Sequence, residues 1–160
     1  MIYRTTTLED VDAICRIYDK ERLEWPAYYP PLPPEVPTMF IEASHKKPKD
    51  FFTLAVDRDK ELVGYISMHT HYTFGLKTAE NIGIFVDNNI LSPMESVCVL
   101  RNMIRRTHWW AFTNGCRKVV WMVTIGKWKS LQTILARERC SMVGVNMEFN
   151  YGTWRTWKNL

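Results

Sequence analysis

The chain is predicted to be an α/β (α+β) protein, a sheet flanked by helices, on three observations. Residues 79–124 read as a strand, a break, a long helix ending at a glycine, and a second strand. That order joins two parallel or near-parallel neighbours through a helical crossover. Segments 51–56 and 61–74 are apolar strand patterns joined by Asp57-Arg58-Asp59-Lys60, a hairpin-type turn. The length of 160 residues, with 46% hydrophobic and 24% charged residues, fits one globular domain, read as 1–160.

In chain order, residues 2–5 form a short strand with alternating apolar positions. Thr6 with Glu9, or Thr7 with Asp10, makes a capping box, and both acids suit the positive start of a helix. Leu8, Val11, Ile14, Cys15 and Tyr18 follow at helical spacing, which predicts a helix over about 8–23. Residues 25–37 hold six prolines in thirteen positions, which predicts a stiff extended loop carrying Trp25, Tyr28 and Tyr29. It either wraps the core or walls a substrate cleft. A short helix at 38–44 and a basic loop at 45–50 come next. After the hairpin, residues 75–78 turn into a strand at 79–87. The central helix and the strand at 116–124 follow. Ser130 caps a last helix, and a strand pair spans 142–151 and 153–157.

Composition excludes several classes. The four cysteines lie far apart with no CxxC pair, which argues against structural zinc and for free thiols in a reducing compartment. No run approaches the eighteen or so apolar residues of a membrane span, and the first residues lack the apolar core of a signal peptide, so a cytoplasmic location is expected. A net charge of +4 is compatible with an anionic ligand without marking a nucleic-acid binder. Seven Trp, seven Tyr and seven Phe are many for this length; they read as a bulky core with some half-buried rings, or in part as a ligand or partner surface.

Three segments carry a family resemblance: ELVGYISM at 61–68, NGCRKVVWMV at 114–123 and CSMVGVNMEF at 140–149. With the order of elements, they make the chain resemble the GNAT superfamily, the GCN5-related N-acetyltransferases, over nearly its whole length. The resemblance implies a mixed, mostly antiparallel twisted sheet splayed between strands four and five. It also implies acetyl-CoA as cofactor and a small-molecule or protein amine as acceptor. In that family the cofactor pyrophosphate is held by backbone amides of a glycine-rich loop opening the central helix. The matching residues here include Ser96, Val97 and Cys98, with Arg101 beside them. Backbone of Ile84, Phe85 and Val86 would polarise the thioester carbonyl. This segment has no glycine, and Glu95 places a negative charge there. Leu135 stands where the family often has a proton-donating tyrosine, and Ser130 where it often has an asparagine.

The residue-level candidates for catalysis are Glu80, His69 and His71. Glu80 is what the resemblance implies by position, since the family's general base is often a carboxylate on the fourth strand; it would take a proton from an ammonium, or it is a strand-edge Glu in solvent. His69 and His71 lie two apart in a strand and share a face. They read as a base, as metal ligands with a carboxylate such as Glu80, or as structural residues. Two histidines alone do not make a metal site, and none is assigned. Three functions are therefore open. The first is an N-acyltransferase with a degenerate cofactor loop. The second is a GNAT-fold protein without catalysis, binding a protein partner through exposed aromatics; small divergent proteins of this kind resemble those of bacteriophages, which would place it in host cytoplasm or virion as a viral protein. The third is a nucleic-acid-directed member using Arg101, Arg105, Arg106, Arg117 and Lys118.

Overall fold

A computed structural model describes residues 1–24, 30–121, 133–135, 137, 147–150 and 153–156. The chain divides into two compact units, Met1–Val120 and Trp121–Leu160. The first is built on a five-stranded sheet in which sequence order is also spatial order: β1 (Ile2–Arg4), β2 (Phe51–Arg58), β3 (Glu61–Thr73), β4 (Leu76–Val86) and β5 (Lys118–Val120). The first four strands pair antiparallel. β5 joins parallel to β4, from Thr78 opposite Lys118 to Glu80 opposite Val120. A 3-10 turn, Leu8–Asp10, leads into α1 (Val11–Glu24), and α2 (Glu35–Lys46) and α3 (Pro93–Thr113) complete the unit. In the second unit, residues 133–135 and 137 are helical, and β6 (Met147–Asn150) pairs antiparallel with β7 (Thr153–Thr156).

The two hairpins turn on pairs of residues with positive φ. Asp59 and Lys60 stand at 52° and 70°, Phe74 and Gly75 at 51° and 77°. Two such residues in a row suit a two-residue hairpin loop whose twist matches the strands. The turns therefore need fewer residues than the sequence suggests. β2 runs on to Arg58, and β4 begins at Leu76 rather than Ala79.

In β3, the seven residues from Leu62 to Met68 are all buried. Successive side chains of a strand point to opposite faces, so unbroken burial requires cover on both. One face carries Tyr65, which with Ala55 packs on Ile14 and Ile17 of α1 and Ile41 of α2. The other meets α3. Gly64 lets α3 pack closely there: a Cβ on it would stand 3.3 Å from Val99 Cγ1, a tight contact. Ile66, Met103 and Ile104 are fully buried.

Two boundaries differ from the sequence expectation. α2 starts at Glu35, inside the proline-rich segment, and Pro37 lies in its first turn. Proline is tolerated there because first-turn amides have no intrahelical acceptor. The helix also continues through His45 and Lys46, which the sequence reading placed in a loop. α3 starts at Pro93, so the segment read as a break before it is already helical. Its end is as expected: Gly115, at φ 75°, follows the cap residue Asn114. Trp25, Tyr28 and Tyr29, with the cleft wall assigned to them, lie outside the described residues, as does Ser130.

β1 is tied to the 3-10 turn and to β2 by one arginine. Arg4 donates to both oxygens of Asp10 at 2.8 Å and to Asp57 at 2.6 and 3.1 Å. The Asp10 carboxylate also accepts the Thr7 amide at 2.7 Å, one arm of the capping box seen in the sequence. Burial pushes the Asp10 carboxyl upward, but Arg4 and Thr7 outweigh it and hold it below the usual range. Such a group stabilises the fold above its unfolded pKa, and that stability is lost as pH falls through the lowered folded value. Asp10→Asn should therefore cost about 1–2 kcal/mol at neutral pH, the half-exposed arginine limiting the figure. The difference should vanish in acid. Urea titrations of both proteins at neutral pH and at successively lower pH, well below the ordinary carboxylate range, check this; a gap that stays constant to the lowest pH at which both fold would refute it.

Candidate functional site

The β3–β4 ladder places His69 directly opposite Glu80, with His71 two residues on. Cross-strand partners share a face, and diagonal neighbours lie within reach of long side chains. The three side chains sequence analysis singled out thus converge on the face that carries Tyr65 and Phe85. His69 Nε2 is 3.8 Å and His71 Nδ1 3.6 Å from Glu80 Oε2, and the ring centroids are 5.5 Å apart. These separations are too long for hydrogen bonds. The Nδ1 atoms of both histidines are buried and have no hydrogen-bond partner. Burial pushes the His69 imidazole below its ordinary value, His71 adds to that, and Glu80 opposes it. His69 is accordingly neutral at neutral pH. A neutral imidazole beside a carboxylate can accept a proton, and it can ligate a metal.

The start of α3 is the other region to which the resemblance assigns a role. Ser92 is the N-cap. Its hydroxyl accepts the Glu95 amide at 3.3 Å, while the Glu95 carboxylate accepts the Ser92 amide at 2.9 Å and the Ser92 hydroxyl at 2.8 Å. Arg58 reaches across from the β2–β3 hairpin to Glu95 at 3.1 Å. The Ser92 amide, the Ser92 hydroxyl and Arg58 hold the Glu95 carboxyl below the usual carboxylate range, so it is ionised.

The preceding turn is closed in the same way. Asp87 Oδ1 accepts the Asn89 amide at 3.0 Å, and the Asp87 carbonyl accepts Ile90 and Leu91 at 3.3 and 3.1 Å. Lys20 of α1 donates to Asp87 Oδ2 at 2.6 Å. Five amides between β4 and the first turn of α3 are thus bonded internally: Asn89, Ile90, Leu91, Ser92 and Glu95. Pro93 has none to offer. Ser96 donates to the Ser92 carbonyl at 2.9 Å, and Val97 and Cys98 lie one turn inside the helix, where amides bond back to the i−4 carbonyl. The expected cradle of Ser96, Val97 and Cys98 is therefore corrected: these are helix-interior amides, and the positive end of α3 already faces its own carboxylate.

An acyl-CoA pyrophosphate does not fit this helix start as the resemblance requires. Ile84, Phe85 and Val86 pair with Ile66, Tyr65 and Gly64 on one side, and among the described residues β4 has no strand partner on the other side beyond Glu80. The Phe85 ring folds back over Gly83, where a Cβ would meet it at 2.7 Å. It lies edge-on to Tyr18 and stacks on Tyr65. Arg101 is half-buried on α3. Leu135 is helical and buried, and leucine has no proton to give. Sequence reasoning missed Arg58, Lys20 and Asp87. The signal for the Ser92–Glu95 closure was present in Ser-Pro-Met-Glu, a capping-box spacing.

Among the described residues no helix is long and apolar enough to cross a membrane. No family profile matches the chain, and no curated protein matches it. Solved structures do. A glucosamine-6-phosphate N-acetyltransferase from Arabidopsis thaliana is 12% identical, with 94% of this chain and 97% of that one covered at a TM-score of 0.64. A ribosomal-protein-alanine N-acetyltransferase from Brucella melitensis is 19% identical, with 94% and 93% covered at 0.66. An acetyltransferase from Trypanosoma brucei is 14% identical, with 92% and 97% covered at 0.63. The fold of this chain is that of the GCN5-related N-acetyltransferases, a helix-flanked and mostly antiparallel sheet with β5 parallel to β4.

Proposed function

We propose that this chain is a GNAT-fold binding protein that does not grip acyl-CoA through the start of its central helix. The observation that carries the reading is the closed helix start. An incoming phosphate would have to displace the Glu95 carboxylate and then compete with it for the same positive end. α3 supports the same reading on its outer side, where Trp109 and Phe112 are 68% and 73% exposed with ring centroids 6.3 Å apart. Exposed aromatics in contact with each other are apolar area for a protein partner. The basic face of the third alternative has less support. Arg106 is engaged over the Tyr3 ring at 4.8 Å, and Arg101 and Arg105 also have interaction partners.

A second reading, an N-acyltransferase acting on a small-molecule or protein amine, is favoured by the convergence of His69, His71 and Glu80. Those groups would take a proton from the acceptor ammonium. Acetyl-CoA titrated into the purified chain by calorimetry, at low and moderate salt, separates the two. The binding-protein reading expects no saturable heat below about 1 mM ligand. Micromolar affinity would overturn it and reinstate the acyltransferase, with Glu80→Gln as the first activity control.

A further inference from the structure

We infer that His69, His71 and Glu80 form a binding site for a divalent first-row transition metal of the zinc class. The three donor atoms lie within 4.8 Å of one another, and no other group of three such residues close enough to hold an ion occurs among the described residues. Two of the gaps, 3.6 and 3.8 Å, are too wide for hydrogen bonds and too narrow for a water between. Metal–nitrogen distances of about 2.0–2.1 Å and metal–oxygen distances of about 2.0–2.2 Å put tetrahedral ligands roughly 3.4 Å apart. Small side-chain rotations therefore bring the trio onto an ion.

The donor set matches the chemistry. Imidazole and carboxylate together suit zinc, cobalt, nickel and ferrous iron rather than calcium or magnesium, which prefer all-oxygen sites. The buried Nδ1 of His71, which has no hydrogen-bond partner, would give its lone pair to the ion, while the Nδ1 of His69 would stay without a partner. The scaffold is stiff enough to hold the site. Two ligands share one strand and the third stands across the ladder, so backbone hydrogen bonds fix their spacing. The side chains of His69, His71 and Glu80 are 27%, 36% and 21% exposed, so the trio lies at the partly solvated edge of the sheet. Three protein ligands with an open position is the arrangement of sites that activate a water or polarise a carbonyl, as opposed to closed four-ligand structural sites. This inference goes beyond the binding-protein reading and stands whether or not acetyl-CoA binds.

The test is zinc titration of the full chain, stripped with chelator, by calorimetry, together with the absorption spectrum of the cobalt-loaded protein. The expected result is one ion per chain with micromolar affinity. The cobalt spectrum should show tetrahedral or five-coordinate bands without the charge-transfer band of a thiolate ligand. Glu80→Gln and His71→Asn should each weaken binding at least about tenfold. His108→Gln, on α3 and outside the trio, should leave it unchanged. Glu80→Gln keeps the side chain's shape, so it carries the test if His71→Asn folds poorly. Absence of binding below about 1 mM zinc, affinity unaffected by Glu80→Gln, or a thiolate band would each overturn the site.

Discussion

Replacing Asp87 with alanine should lower the unfolding free energy by about 3 kcal/mol, with a matching fall in the urea midpoint. Five interactions meet at this residue, and its side chain is 1% exposed. Its amide donates to the Val63 carbonyl, its carbonyl accepts two turn amides, and its carboxylate holds the Asn89 amide and Lys20. Alanine keeps the backbone bonds and removes the last two. The Asn89 amide then loses its acceptor, and the partly exposed Lys20 ammonium loses its counter-ion. Asparagine at this position retains an oxygen for Asn89 and loses only the charge, so Asp87→Asn should cost about half as much. Equal midpoints for wild type and Asp87→Ala would mean that the connection from β4 to α3 is held by something other than this residue.

The second large effect belongs to adjacent tryptophans on α3. Trp110→Ala should cost about 3–5 kcal/mol, whereas Trp109→Ala should stay within about 0.5 kcal/mol of wild type. Trp110 is 9% exposed, stacks on Phe52 with centroids 5.2 Å apart, and donates its Nε1 proton to the Pro48 carbonyl at 2.8 Å. Trp109 points outward beside Phe112. Trp110→Phe keeps the stack and loses the hydrogen bond, for a cost of about 1 kcal/mol plus the smaller ring. Urea unfolding of the three variants settles the matter; comparable losses for the Trp109 and Trp110 alanine variants would show that the helix is rotated about its axis relative to this description.

The same pair shows how far the sequence could be read. Helical spacing established that adjacent tryptophans cannot both face inward, but not which of them does, because Thr107, Trp110 and Ala111 form a buried stripe only once the phase of α3 is known. That phase depends on where the helix begins. Pro93 reads as a breaker in isolation and as a first-turn residue once Ser92 is seen to be the cap. The same ambiguity displaced the start of α2 at Pro37. Placing α3 too late also moved the supposed phosphate cradle into the helix interior. The fold class survived these errors, since it rests on the order of strands and helices, and that order is carried by hydrophobic period and turn residues. The histidines were legible as candidates because a strand repeats every two residues, and Glu80 because the resemblance puts a carboxylate base on the fourth strand. Their meeting was not legible, since it depends on the pairing register of two strands.

That register contains an irregularity. Ser67 faces Gly83, yet Met68 faces Asn81, so Ile82 is an extra residue in β4. Counting back from Phe85 in steps of two reaches Gly83 and then Asn81, and an uninterrupted strand would turn the amide of Asn81, not the carboxylate of Glu80, toward the histidines. One inserted residue reverses odd and even along the strand. It sends Asn81 into the interior, 3% exposed opposite Met68, and brings Glu80 round to His69. The chemistry of this surface is thus written in the parity of a strand as much as in its residue types: a ladder that paired Ile82 instead of bulging it out would dissolve the trio while leaving every one of its members in the chain.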